Sequence, residues 1–69
     1  MEQFMEQSQL FTEKEVSGLL RIPLQTLRNH RSRGYGIPYL KLGRSVRYAQ
    51  ADIIEYVDSK RITPKGGNI

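Results

Sequence analysis

The 69-residue chain predicts a mainly α-helical fold completed by a small β-hairpin, and three features of its sequence carry that expectation. Thr12-Glu13-Lys14-Glu15 has the form of a capping box ahead of an apolar-periodic segment. Arg21-Ile22-Pro23 interrupts that segment before helical periodicity resumes. From Tyr39 to Tyr48, apolar and polar side chains alternate around Gly43-Arg44-Ser45. A chain of this length has room for one domain, and folding hides only about 60% of the surface the unfolded chain exposes. With no cysteine and one histidine, neither disulfides nor a Cys/His zinc site is available to supplement so small a core.

In the capping box, Thr12 accepts from the Glu15 amide while the Glu15 carboxylate reaches back to the Thr12 amide. Phe11 before the cap and Val16 inside the helix form the accompanying hydrophobic staple. The first helix therefore starts at Glu13, and Val16, Leu19 and Leu20 are expected to form one buried stripe. Proline disfavours a helical conformation in the residue before it but suits the first turn of a new helix. The second helix runs from Leu24 to Arg33 and stops at Gly34. Two short helices across a tight turn make a helix-turn-helix unit.

Tyr35-Gly36-Ile37-Pro38 reads as a loop leading into the hairpin. A three-residue Gly43-Arg44-Ser45 turn would place Leu42 opposite Val46, Leu40 opposite Tyr48 and Lys41 opposite Arg47, leaving Arg44 at the tip. This register is favoured because it gives one apolar and one basic face. The last helix, from about Ala49 to Lys60, is amphipathic, with Ile53, Ile54, Tyr56 and Val57 along one side and Asp52, Glu55 and Asp58 towards the other. The organisation is then an N-terminal extension (1–9), a winged helix-turn-helix domain (10–61) and a flexible C-terminal tail (62–69).

The formal net charge is +4, and its distribution says more than its size. No acid lies between Glu15 and Asp52, whereas Arg21, Arg28, Arg31, Arg33, Lys41, Arg44 and Arg47 all do. Such segregation is costly in self-repulsion unless an anion binds there, so the pattern points to a phosphate-binding surface. The first residues carry acids and no positive n-region, and no apolar run is long enough to span a bilayer, so a cytoplasmic protein without a membrane partner is expected. No paired acid/base or metal constellation is visible, which argues against an enzyme and against any cofactor or metal.

Double-stranded DNA is the partner these elements suit. A ten-residue second helix is about 15 Å long, and an α-helix fits the major groove of B-DNA. On a helical wheel Leu24 and Leu27 face the core, with Arg31 between them and His30 at one margin. Gln25, Asn29 and Ser32 point away, with Arg28 at the other margin. Arginine pairs bidentately with guanine and Asn or Gln with adenine, so Gln25, Arg28 and Asn29 suit direct readout. Thr26, near the helix start, either donates to a phosphate or is a small packing residue. His30 reads as a partly buried aromatic, and Arg31 and Arg33 add to the field without reading a base. In the wing, Lys41, Arg44, Ser45 and Arg47 form a cationic finger able to lie along a minor groove, although charges there also protect a strand edge.

The order of these parts resembles the excisionase and AlpA-like family of MerR-type winged-helix proteins. The resemblance rests on Leu10-Phe11-Thr12-Glu13-Lys14-Glu15-Val16, on Ile22-Pro23-Leu24-Gln25-Thr26-Leu27-Arg28, on Ile37 to Tyr48 and on Asp52-Ile53. Lys41-Leu42-Gly43-Arg44-Ser45-Val46-Arg47-Tyr48, leading into a helix with an early Asp, is its most specific portion. It implies a recognition helix in the major groove and a wing near the minor groove. It also implies either an excisionase, which steers integrase by bending DNA, or a small phage or prophage transcription regulator, with integrase and cooperative self-association on DNA as further partners. Pro23 stands where such proteins often place Ser or Thr, and His30 where they often place tryptophan. The competing expectation is a small protein-interaction module whose basic middle meets an acidic partner.

Overall fold

The computed structural model describes residues 9–65. Strand β1 (Leu10–Thr12) runs directly into helix α1 (Glu13–Leu20), and helix α2 (Leu24–Arg33) follows a three-residue turn. Strands β2 (Leu40–Leu42) and β3 (Ser45–Ala49) form the hairpin, and helix α3 (Gln50–Ser59) closes the fold. Three helices with a small antiparallel sheet of order β1-β3-β2 make a winged helix-turn-helix. Residues 1–8 and 66–69, within the expected N-terminal extension and C-terminal tail, lie outside the described residues.

The capping box forms as the sequence predicts. Glu15 N donates to Thr12 Oγ1 at 3.1 Å and Thr12 N donates to Glu15 Oε1 at 2.8 Å. The turn after α1 is held by Ser17, whose carbonyl accepts from Ile22 N at 3.1 Å and whose hydroxyl donates to the Ile22 carbonyl at 2.6 Å. Arg21 caps α1 in the left-handed region at φ 56°. Helix α2 ends at Gly34, as expected.

The core takes one residue from almost every element: Val16 from α1, Leu27 from α2, Ile37 from the loop, Tyr48 from β3 and Ile53 from α3. Phe11, Leu20, Ile22, Val46 and Tyr56 pack around them. The loop after α2 folds back on its last turn. His30 lies against Tyr35 with ring centroids 4.8 Å apart, and a Cβ at Gly36 would come within 2.8 Å of the His30 Cβ. Only glycine permits that approach, which seats Ile37 in the core and fixes where the wing begins. His30 is thus the partly buried aromatic that the sequence suggests.

Three expectations need correction. The hairpin turn has two residues, Gly43-Arg44, so that Leu42 pairs with Ser45, Lys41 with Val46 and Leu40 with Arg47. Gly43 has φ 66° and Arg44 does not have positive φ, the pattern of a type II′ turn with glycine at its first central position. Ser45 therefore belongs to β3 and not to the turn. The three-residue register presumed that Leu40 and Leu42 face the core, but β1, not foreseen as a strand, supplies that side. Phe11 lies opposite Tyr48 across β1–β3 and occupies the place assigned to Leu40. Leu40 and Leu42 stand on the outer face of an edge strand, exposed. Lys41 and Arg47 consequently lie on opposite faces of the wing.

The second correction concerns α1, where Val16 is buried and Leu20 half-buried but Leu19 is 59% exposed. The third concerns α3, where Ile53 is buried and Tyr56 half-buried while Ile54 and Val57 are exposed. A core this small has room for the centre of each apolar stripe and leaves its margin in solvent.

Candidate nucleic-acid interface

Helix α2 presents the side chains that the helical wheel selects. Gln25, Arg28, Asn29 and Ser32 are exposed, Leu27 is buried, and Thr26 and Leu24 are half-buried. Gln25 Nε2 donates to Asn29 Oδ1 at 3.1 Å, so these two amides form one polar unit a helical turn apart. That bond leaves the Asn29 amide protons and the Gln25 carbonyl free of each other.

Arg28 is not a free cation. Its Nη2 lies 2.8 Å from Glu13 Oε2, and Arg31 Nη2 lies 3.2 Å from Glu13 Oε1, so one carboxylate ties the first turn of α1 to two arginines of α2. The Arg28 guanidinium holds the Glu13 carboxyl below its ordinary value of 4.5, burial opposes that shift, and Arg31 reinforces it. Arg31 is turned inward. Burial disfavours its charge, but the Tyr48 hydroxyl, 2.9 Å from Nη1, and Glu13 more than offset this. Its guanidinium also lies 5.6 Å from the Tyr39 ring centroid. Arg31 is therefore a structural link between α2 and the sheet.

Between the first turn of α1 and the wing lies an open cleft of roughly 500 Å³, lined by Lys14, Arg31, Lys41, Arg44 and Arg47 together with Thr12, Glu13, Ser45 and Val46. Five of those nine residues are cationic, and the one acid is already paired with Arg28 and Arg31. Arg44, at the tip, and Lys41 are exposed, whereas Arg47 is half-buried and donates through Nη1 to the Val46 carbonyl at 2.8 Å. Although Lys41 and Arg47 occupy opposite faces of the wing, both border this cleft. Lys14, which the sequence reading did not single out, joins them from α1. The signal available was its place at the second position of a capped helix, but only the fold shows that the wing lies beside it.

Glu13 borders the cleft and also holds Arg28, so the exposed face of α2 and the cationic cleft adjoin. A family model for the helix-turn-helix domain matches residues 10–61, from the start of β1 to just beyond α3. The chain belongs to the helix-turn-helix domain family. Membership supports DNA binding by this domain. No match was found among curated proteins or among solved structures. Among the described residues of this helix-turn-helix domain, no helix is long and apolar enough to cross a membrane, and no cluster of His, Asp or Glu is placed to hold a metal ion.

Proposed function

We propose that this helix-turn-helix domain binds duplex DNA sequence-specifically, with α2 in the major groove and the β2–β3 wing along the adjacent minor groove. The observation that carries the reading is the cationic cleft between α1 and the wing, directly beside the exposed polar face of α2. One phosphate backbone separates a major groove from its neighbouring minor groove, and the cleft supplies cations where that strand would pass. Gln25, Arg28 and Asn29 then read base edges, with Ser32 beside them, while Thr26, Lys41, Arg44, Ser45 and Arg47 hold the backbone and the minor-groove side.

The biological role we infer is that of a small regulator of a phage or other mobile element, acting on excision together with integrase or on transcription. The support is the resemblance of Lys41-Leu42-Gly43-Arg44-Ser45-Val46-Arg47-Tyr48 and the following helix to excisionase and AlpA-like proteins. Footprinting on the attachment sites of the element and on its promoters separates the roles. Protection at an attachment site supports excision, protection over a promoter alone supports transcription, and protection of neither would contradict both.

One observation favours a protein partner as well. Ile54 and Val57 stand exposed beside Leu20 and Ile53 in an apolar cleft between α1 and α3. Under this second reading purified integrase is retained on the immobilised chain after nuclease treatment, and Ile54→Asp releases it.

A further inference from the structure

Arg28 meets Glu13 through one edge of its guanidinium only. Nε donates to the two carboxylate oxygens at 3.4 and 3.3 Å, and Nη2 donates to Oε2 at 2.8 Å. Arginine carries its five N–H donors in a rigid planar fork. With the Nε/Nη2 side edge engaged, the end edge remains, one N–H on Nη1 and one on Nη2 pointing away from the chain. That pair of parallel donors matches the adjacent O6 and N7 acceptors that guanine presents in the major groove. The Arg28 side chain is 45% exposed, and its hydrogen bonds to Glu13 use Nε and Nη2, not Nη1.

What holds Glu13 is as well defined. It is the first residue of α1, inside the Thr12–Glu15 capping box, and its second oxygen faces Arg31. Arg31 is in turn anchored on the hydroxyl of Tyr48, one of the most deeply buried side chains. A connected series, Tyr48 to Arg31 to Glu13 to Arg28, thus leads from the core to the exposed fork. Such support reduces the rotamer freedom that an arginine loses on binding. Glu13 itself, with both oxygens facing arginines, is poorly placed to accept from a cytosine amino group.

We propose that Glu13 is a positioning residue for base recognition, gripping Arg28 by its side edge so that the end edge reads a guanine. The inference rests on the DNA-binding reading above and adds to it which base Arg28 selects and which residue makes it do so. An acid bordering a phosphate-binding cleft lowers affinity for any duplex, so Glu13 trades general affinity for selectivity.

The test begins with selection of bound duplexes from a random library by the wild-type chain. Binding is then measured on the selected duplex, on versions with each G·C pair replaced by A·T, on versions carrying 7-deazaguanine, and on a scrambled duplex. The chains compared are wild type, Arg28→Lys, Glu13→Gln and Glu13→Asp. For wild type, one guanine is expected whose replacement, or loss of its N7, weakens binding about tenfold. That preference collapses in all three variants while preferences at the other positions persist. Glu13→Gln tightens binding to the scrambled duplex, and Glu13→Asp, which keeps the charge but withdraws the carboxylate, does not. Arg28→Lys retains the charge opposite Glu13 and so remains informative if a Glu13 variant folds poorly. A guanine preference lost in Arg28→Lys but intact in both Glu13 variants overturns the role of Glu13. A selected site with no guanine sensitive to Arg28→Lys overturns the base assignment. A wild-type chain that retains no duplex overturns the DNA-binding reading itself and this inference with it.

Discussion

Leu40 lies directly opposite Arg47 across the wing, on the face turned away from the core. Strand β2 is an edge strand, paired on one side only, and its leucines stand in solvent beside basic residues. The core face of the sheet is completed instead by Phe11 opposite Tyr48.

This arrangement gives a direct stability contrast within the hairpin. Leu42→Ala should change stability by no more than about 0.5 kcal/mol, as exposed substitutions generally do. A leucine buried in the core would cost about 2–5 kcal/mol when truncated to alanine. Gly43→Ala should destabilise by about 1 kcal/mol because the turn holds this position at φ 66°. Urea unfolding of the three chains decides between the two registers.

The cleft predicts which cations matter for binding. Arg44→Ala and Lys14→Ala should each weaken binding to selected and scrambled duplexes alike, and each should reduce the salt slope by about 1. Arg31→Ala should instead lower stability, since its guanidinium is engaged by Tyr48 and Glu13. Mobility-shift titrations at several salt concentrations, paired with thermal unfolding, separate the two kinds of effect.

The Glu13 ion pairs give stability a definite pH dependence. The folded pKa of Glu13 lies below its ordinary value of 4.5, chiefly because of Arg28. The contribution is therefore fully present above about pH 4.5 and is lost as pH falls through the lower folded value. The loss should be modest, since solvent screens pairs this exposed. The stability difference between wild type and Glu13→Gln, followed by urea unfolding from pH 6 to pH 3, should shrink as the pH falls. A difference that stays constant over that range would show that the ion pairs contribute nothing.

How much of this was legible in the sequence follows from the range of each signal. The capping box, the Pro23 restart and Gly34 are local, and α1 and α2 have the boundaries those residues predict. The exposed face of α2 follows from helical periodicity alone. The hairpin register depended instead on which strand borders β3 on its other side, and β1 is three residues of chain whose pairing with Ala49, Tyr48 and Arg47 is long-range. The turn itself held the missing clue, since glycine at the first of two loop positions is the II′ signature. The ion pair of Glu13 with Arg28 spans 15 residues, and the meeting of Lys14 with the wing is longer still. Charge segregation correctly located the cationic middle, but it could not show that an acid outside that middle folds onto it.

The most direct test of the central claim is a mobility-shift titration of the wild-type chain on its selected duplex and on a scrambled one, across a range of salt concentrations. With about five cationic contacts, log K should fall against log salt with a slope near −4 to −5 on both duplexes. The selected duplex should stay the tighter at every salt concentration. A flat salt response, or equal affinity for the two duplexes throughout, would contradict sequence-specific binding through α2 and the wing.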